Sequence, residues 1–213
     1  MFAPNFKKLP SVSRLVDALT KVPYLASRNL SRVVAYVIEG REENVFALAK
    51  AIEDVRRNLR PCSGCFGWLE GEGSLCAVCA DPMRDSGLLC VVESWPDAVL
   101  LANSDFFRGR YHILGGRVSP IDGIGPAQLR IDPLIKRLTA DDSVVREVVL
   151  ALSQTPEGEA TASFLVTKLR YISKEIRVSK LATGIPAGYS LEQIDRHTLT
   201  QSFEQRRPVA IGS

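Results

Sequence analysis

The sequence predicts a multi-domain α/β protein with a helical N-terminal domain, a cysteine-rich module, a parallel-sheet domain and a helical C-terminal tail. Three observations support this prediction. Apolar residues recur at helical spacing over the first sixty residues, four cysteines then form two close pairs, and short apolar runs afterwards alternate with helical patterns. We expect the domains to span residues 1–60, 61–86, 87–183 and 184–213.

The first sixty residues contain three stretches with apolar residues at positions i, i+3, i+4 and i+7, as in short amphipathic helices. Either Ser11 or Ser13 is a suitable N-cap for the first helix, and the second helix follows Ser27. The third begins with Glu42 and Glu43, whose negative charge suits the first turn of a helix.

Basic charge is concentrated in this region. The first sixty residues carry 11 Lys and Arg against 6 Asp and Glu, whereas the other residues carry 16 against 18. The net charge of +3 is too small to indicate nucleic-acid binding by itself, but this distribution favours a polyanion as partner. A solvated helical face is the alternative explanation. Lys7, Lys8 and Lys21 would add a diffuse positive field near the turn between the first two helices.

Two identical cysteine pairs follow the helices. Each Cys-x2-Cys turn aims two sulfurs at one point, and two facing turns form the tetrahedral cage that Zn²⁺ prefers. Four sulfur ligands leave no position for water, so the predicted zinc site is structural, with one ion per chain. The predicted ligands are Cys62, Cys65, Cys76 and Cys79. The glycines expected to supply positive-φ positions in this compact knuckle are Gly64, Gly67, Gly71 and Gly73.

Other uses of these cysteines fit the sequence less well. Two disulfides would require an oxidising compartment, and the first residues have no apolar core of the kind that an export signal needs. No apolar run is long enough to span a bilayer. We therefore expect a cytoplasmic protein. Cys90 is predicted to be a buried thiol, Trp68 to cover the metal site, and neither His112 nor His197 to be a ligand.

From Gly87 the pattern changes to alternating strands and helices, which predicts a parallel sheet with right-handed crossovers. Ser94 is expected to cap the first of these helices, which ends near Asn103. The predicted strands are Leu88–Glu93, Tyr111–Leu114, Glu147–Leu152 and Ile176–Ala182. The other predicted helices are Ala127–Leu138, Glu157–Ser173 and the polar C-terminal helix Leu191–Arg207.

Four stretches of the chain resemble the bacterial recombination-mediator family RecR, in the order and spacing of that family. They are Cys62–Cys79 running into Cys90–Ser94, Ser119–Pro126, Thr155–Ala162 and Gly184–Gly188. The resemblance implies a helix-hairpin-helix in the N-terminal domain, a zinc knuckle, a Toprim domain and a swapped C-terminal oligomerisation segment. It also implies a dimer or tetrameric ring that works with RecO, and in some cases RecF, to load RecA on single-stranded DNA.

The acidic residues at the strand ends indicate a protein that does not cut DNA. Toprim enzymes such as topoisomerases pair the first-strand glutamate, here Glu93, with two aspartates that hold Mg²⁺. The corresponding positions are Ser153 and Thr155, and neutral hydroxyls cannot replace carboxylates around a hard dication. The alternative is a Mg²⁺-dependent Toprim nuclease or topoisomerase-like enzyme, in which Asp122, Glu157 and Glu159 would lend oxygens.

The same acidic residues have a second interpretation. Glu93 ends the first strand, and Glu157 and Glu159 follow the third at the start of a helix. Since parallel sheets place their ligand sites outside the carboxyl ends of the strands, we expect these three to form a docking surface for a basic partner, with RecO implied by the family. Alternatively, Glu157 and Glu159 only complement the helix dipole.

The hairpin between the first two helices is degenerate. The family's Pro-Gly-Val-Gly-Pro-Lys lets backbone N–H groups approach a DNA phosphate, but residues 23–28 here read Pro-Tyr-Leu-Ala-Ser-Arg. Tyr24 would obstruct that approach, although it offers a ring on which an unpaired base can stack. Arg28 and Arg32 retain positive charge on one helical face. We therefore expect Lys21, Tyr24, Arg28 and Arg32 to bind DNA without sequence preference. A solvent-facing arginine pair on a protein-only adaptor is the alternative.

Overall fold

The computed structural model describes residues 9–104, 106–172 and 175–206. The chain falls into two compact units, one ending at Leu59 and the other beginning at Arg60. Within the described residues, no helix combines the length and the apolar character that crossing a bilayer requires. Four residues named in the sequence predictions lie outside the described parts of the chain: Lys7, Lys8, Ser173 and Arg207.

The first unit contains the three predicted helices. They are α1 (Pro10–Thr20), α2 (Ser27–Glu39) and α3 (Glu42–Asn58). The predicted N-cap of α1 is wrong, because the helix begins earlier. Leu9 occupies the cap position, and Ser11 and Ser13 lie inside the helix. Pro10 explains the early start, since its fixed φ suits the first helical position and its missing N–H is not needed there.

Few apolar side chains of this unit are buried. Among the residues of this unit that the structure describes, Leu30 and Val34 on α2 are buried, whereas α1 and α3 bury none. On α3, Leu48 and Ile52 are exposed although they follow the predicted helical spacing. The periodicity therefore predicts the helix correctly, but it does not show whether the apolar face is covered within the chain.

The cysteine module begins the second unit. Strands β1 (Arg60–Pro61) and β2 (Trp68–Leu69) pair in an antiparallel hairpin whose loop carries the first cysteine pair. The short helix α4 (Ala77–Ala80) carries Cys79, and Cys76 lies just before it. The two pairs thus lie in different local structures, one in a hairpin loop and one at the start of a helix.

The remainder of the second unit is built on a four-stranded parallel sheet, as predicted, and its strand order is β4-β3-β5-β6. Its strands are β3 (Asp85–Val92), β4 (Gly109–Ile113), β5 (Glu147–Ala151) and β6 (Arg177–Lys180). Its helices are α5 (Trp95–Ala102), α6 (Ile131–Thr139) and α7 (Pro156–Leu169). Ser94 caps α5 as predicted, in a reciprocal capping box with Asp97.

Alternate residues of β3 face two separate hydrophobic cores, because successive strand side chains point to opposite faces. Leu89 and Val91 pack with residues of α6 and α7 on one face. Cys90 and Val92 pack on the other face with Ala98 of α5 and with Cys62, Cys65, Leu69 and Cys79. The cysteine module is therefore part of the cover of the sheet, and Cys90 is the buried thiol that the sequence predicts.

Two predicted helices are each divided into a short 3-10 turn and an α-helix. The first predicted segment forms a turn at Pro126–Gln128, and α6 starts only after the extended residue Leu129. In the tail, a turn at Leu191–Gln193 precedes α8 (Arg196–Glu204). Asp195 accounts for the second break, since its carboxylate accepts the Thr198 N–H at 3.0 Å and starts a new helix.

Candidate functional site

The four cysteines predicted as ligands lie together. Their sulfurs all lie within 4.8 Å of one another, and the Sγ atoms of Cys65 and Cys76 are 3.6 Å apart. All four thiols are free of disulfide bonds, and every one except the half-buried Cys76 is buried. The cluster can therefore hold a metal ion.

Backbone N–H groups point at two of these sulfurs. The Gly67 N–H donates to Cys65 Sγ at 3.3 Å, and the Cys76 N–H donates to Cys62 Sγ at 3.2 Å. Hydrogen bonds to a charged acceptor stabilise the charged form. The backbone of the module is thus arranged for thiolates.

The glycines of the module do not all act as predicted. Gly71 and Gly73 have positive φ, but Gly64 and Gly67 do not. Gly64 is needed for space instead, because a Cβ there would lie 3.2 Å from Cys79 Sγ. A left-handed residue does occur in this loop, but it is Phe66 with φ of 63°. Its ring lies edge-on to His112 with the centroids 5.3 Å apart.

The thiols perturb each other because they are crowded and buried. A hydrogen bond to Cys76, together with burial, raises the pKa of Cys65 to about 12. Hydrogen bonds to Cys65 and Cys76 raise the pKa of Cys79, while donation from Cys65 lowers the pKa of Cys76. Without a cation, such a cluster shares its protons rather than ionising fully. A divalent cation would release those protons, so the donor set fits a metal that prefers sulfur.

A half-buried arginine, Arg137, lies beside the cluster. Nη1 of Arg137 donates to the carbonyl of Gly64 at 2.7 Å and to that of Tyr111 at 2.9 Å, which ties α6 to the cysteine loop and to β4. Burial lowers the pKa of this guanidinium, and the sulfur of Cys79 opposes that shift. Arg137 therefore supplies positive charge where four thiolates would concentrate negative charge.

Trp68 lies half-exposed at the edge of the cluster. It lines an apolar cleft of about 180 Å³ together with Trp95 of α5, and Cys65 and Cys76 form part of the same wall. This placement is compatible with the predicted role of Trp68 in covering the metal site. His112 is fully buried, and its Nε2 lies 2.7 Å from the carbonyl of Arg130.

Glu93 follows β3 directly and is 8% exposed. Its Oε1 accepts two hydrogen bonds from Ser153, from the N–H at 2.7 Å and from the hydroxyl at 2.6 Å. Its Oε2 lies 3.4 Å from Nη1 of Arg117. The carboxylate is therefore held by neighbours within its own unit.

The two hydroxyl residues at the Toprim aspartate positions form a continuous network with Glu93. Ser153 Oγ lies 3.2 Å from Thr155 Oγ1, which in turn accepts the Gly158 N–H at 3.2 Å and caps α7. A Cβ at Gly158 would overlap the Ser153 carbonyl oxygen, so the loop packs tightly against the helix. Among the described residues, the cysteine cluster is the only group of three or more side chains placed to bind a metal ion.

The other two acidic residues have different surroundings from Glu93. Glu157 and Glu159 lie in the first turn of α7, where negative charge complements the helix dipole. Glu159 also forms an ion pair with Lys180 of β6 at 3.1 Å. Glu93 is the most buried of the three predicted docking residues, so Glu157 and Glu159 offer a partner more accessible carboxylate surface.

In the first unit, the predicted DNA-binding residues surround the turn between α1 and α2. Lys21 follows the end of α1, while Arg28 and Arg32 lie one turn apart on α2, and all three are exposed. Tyr24 has φ of 64° and its side chain is fully exposed. Tyr24 thus adopts a left-handed backbone conformation of the kind that favours glycine.

Comparisons with known proteins agree with this arrangement. The Toprim domain model matches residues 87–182, and the model described as RecR, C-terminal, matches residues 184–207. Recombination protein RecR of Rubrobacter xylanophilus is 40% identical over 197 residues, which cover 92% of this chain and 96% of the relative. The chain belongs to the RecR family. RecR of Leifsonia xyli is 40% identical over 93% of this chain and 98% of its own, and RecR of Syntrophobacter fumaroxidans is 38% identical over 93% and 96%.

Two residues of this RecR family member that matter for its sites escaped the sequence analysis. Arg117 contacts Glu93, and Arg137 contacts the cysteine loop, each across a long stretch of chain. Arg117 had a local signal, because it follows Gly115 and Gly116 in a loop after a predicted strand. Arg137 had none, since it reads as one more basic residue in the last turn of α6.

Proposed function

We propose that this RecR family member is a non-enzymatic mediator of DNA recombination and repair. It binds DNA without sequence preference and, together with RecO, promotes loading of RecA on single-stranded DNA. RecF is a second candidate partner, and the site of action is the nucleoid in the cytoplasm. The observation that carries this proposal is the identity of about 40% over nearly the full length of proteins named Recombination protein RecR.

The arrangement around Glu93 supports the non-enzymatic part. An Mg²⁺ site for phosphodiester transfer needs several carboxylates around the ion. Here the Glu93 oxygen nearest the aspartate positions already accepts two hydrogen bonds from Ser153. Magnesium-dependent DNA cleavage that disappears in Glu93→Gln would contradict this proposal.

We propose zinc as the metal of the cysteine cluster, at one ion per chain, because four sulfurs within 4.8 Å of one another supply the four ligands that structural Zn²⁺ prefers. When bound, zinc supplies structural cross-linking rather than chemistry, since four protein ligands leave no open position. Cys62, Cys65, Cys76 and Cys79 would hold it, and the Gly67 and Cys76 N–H groups would stabilise their thiolates.

For DNA binding, we propose that Lys21, Arg28 and Arg32 contact phosphates. These side chains are exposed around one turn of the helical unit. Each contact is weak, so assembly into a dimer or tetrameric ring would strengthen binding by raising the effective concentration of the basic residues. RecO would dock on the Toprim unit at Glu157 and Glu159, with Glu93 at the buried end of that surface.

A second candidate function is a protein-only adaptor that binds RecO and not DNA. The side chain of Tyr24 favours it, because a phenol ring replaces the glycine that lets the family hairpin approach a phosphate closely. Both candidates share the Toprim surface, so they differ only in what the helical unit binds.

Titration of DNA binding across salt concentration separates these functions. We expect Arg28→Ala/Arg32→Ala to weaken binding to single strands and to lower the salt slope by about 1.4 for two lost phosphate contacts. The control is Arg56→Ala/Arg57→Ala, which removes the same charge from α3 in the same unit. Equal effects of both arginine pairs would indicate that DNA responds to a diffuse positive field rather than to Arg28 and Arg32. If the unsubstituted protein binds RecO but not DNA, the protein-only adaptor is established.

A further inference from the structure

Tyr24 has a strained backbone that nothing in its surroundings explains. Bulky side chains rarely adopt φ near +64°, because the Cβ crowds the following carbonyl. Its side chain is 101% exposed, so no packing compensates for the strain. A residue held in such a conformation without compensation often serves a function.

Phe66 provides the comparison within the same chain. It is the other described residue besides glycine with positive φ, at 63°. Its half-buried ring packs edge-on against His112 and lies 5.5 Å from the guanidinium of Arg130. Contacts of the Phe66 ring therefore compensate for its backbone, whereas the Tyr24 ring extends into solvent.

The surroundings of Tyr24 are positively charged. Lys21, Arg28 and Arg32 are exposed around the same turn. No acidic residue occurs in the sequence between Asp17 and Glu39. An exposed aromatic ring among cations suits single-stranded nucleic acid, because phosphates bind the cations and an unstacked base covers the ring.

We propose that Tyr24 stacks on an unpaired base and gives this protein a preference for single-stranded over duplex DNA. This inference rests on the proposed DNA-binding function and assigns its substrate class. The arginines and Lys21 contact phosphates, which both forms of DNA carry, so they do not discriminate. The bases of a duplex are already stacked on each other, so Tyr24 gains a partner only on a single strand.

The test uses the full chain and three DNAs of equal length: a thymidine strand, an abasic strand with the same phosphates, and a duplex. We expect Tyr24→Gly to weaken binding to the thymidine strand at least about fivefold, as expected for loss of one base–aromatic stack. Binding to the abasic strand and to the duplex should stay unchanged. Tyr24→Phe, which keeps the ring, should bind like the unsubstituted protein.

The variants also separate binding from folding. Tyr24→Gly relieves the strained φ, so its thermal midpoint should be equal or higher, whereas a purely structural tyrosine would give a lower one. Tyr24→Asn is the second variant, since asparagine tolerates the left-handed region and also removes the ring. Arg28→Ala/Arg32→Ala should weaken binding to all three DNAs.

Each other outcome overturns the inference. If Tyr24→Gly and Tyr24→Asn leave the thymidine strand unaffected, or weaken all three DNAs equally, Tyr24 does not stack on bases. Loss of RecO binding in those variants would then make the ring a protein contact. If the unsubstituted protein binds none of the three DNAs, the proposed DNA-binding function fails together with the inference.

Discussion

The cysteine cluster and the Glu93 region both place acidic groups in the protein interior, and they accommodate the negative charge in opposite ways. The cluster gathers four sulfurs within 4.8 Å of one another, and the pKa values of Cys65 and Cys79 are raised, so these thiols hold their protons until a cation replaces them. The Glu93 region has one buried carboxylate, and Ser153 and Arg117 satisfy it from within the chain. The first site can therefore accept a metal ion, whereas the Glu93 carboxylate already has partners from its own chain.

Removal of the cluster ligands should have the largest effect. We expect Cys62→Ser or Cys76→Ser to lose the zinc and to destabilise the second unit by more than about 4 kcal/mol, since loss of a metal is among the most damaging single changes. Metal analysis and thermal unfolding measure both effects. The control is Cys90→Ala, which removes a buried thiol outside the cluster and should retain one zinc per chain. A Cys62→Ser protein of unchanged stability would contradict a structural metal.

His112 extends the comparison to a buried group that remains neutral. Burial lowers its pKa to about 4; the hydrogen bond to the Arg130 carbonyl opposes this shift, and the charges of Arg137 and Arg130 add to it. The unfolded chain, with a pKa near 6.5, therefore binds the proton more readily. The contribution of neutral His112 to the free energy of unfolding is fully present above pH 6.5. It is lost as the pH falls towards 4, by about 3 kcal/mol in total.

Denaturant unfolding between pH 7 and pH 5 tests this expectation. His112→Gln should remove much of the dependence of the unfolding free energy on pH. His197→Gln, on the exposed face of α8, should leave that dependence in place. Identical slopes for the two variants would show that His112 does not titrate as its burial predicts.

The Glu93 region can be changed towards the pattern of the enzymes. Ser153→Asp replaces a hydroxyl donor with a second carboxylate beside Glu93, and we expect a loss of about 1.5–3 kcal/mol without metal. Magnesium should restore part of that stability, because a cation can then bridge the two carboxylates. Ser163→Asp, on the exposed face of α7, is the charge-matched control. Full stability of Ser153→Asp without magnesium would contradict the inference that Glu93 depends on the hydrogen bonds from Ser153.

Arg137 should affect how firmly the cluster retains its metal. Arg137→Met keeps most of the side-chain volume but removes the two hydrogen bonds and the charge beside the thiolates. We expect the affinity for zinc to fall about 10- to 100-fold, as it does when residues that support metal ligands are replaced in other proteins. Competition with a chelator measures this affinity. Arg146→Met, which breaks an exposed ion pair with Asp85, should leave zinc retention unchanged.

The sequence allowed local features to be predicted. The two Cys-x2-Cys pairs, the Ser94 cap and the apolar runs of the sheet each depend on residues close together in the chain, and all three are present. The contacts of Ser153 with Glu93 and of Arg137 with Gly64 join residues 60 and 73 positions apart. Local pattern carries no signal for such pairs.

The roles of individual glycines and turn residues were harder to predict. Gly64 is needed because Cys79 Sγ approaches it, and only the folded module shows this. Phe66 and Tyr24 adopt left-handed backbone that residue type disfavours. Packing of the ring outweighs the local cost at Phe66, whereas no packing does so at Tyr24.

The packing of the cysteine module on the sheet has a consequence for how this protein can be divided or inherited. Cys62, Cys65 and Cys79 share one core with Cys90 and Val92 of β3. A shortened chain that starts at Gly87 would leave this face of the sheet bare and prone to self-association. Shuffling of the knuckle between proteins would therefore have to carry the adjoining strand with it.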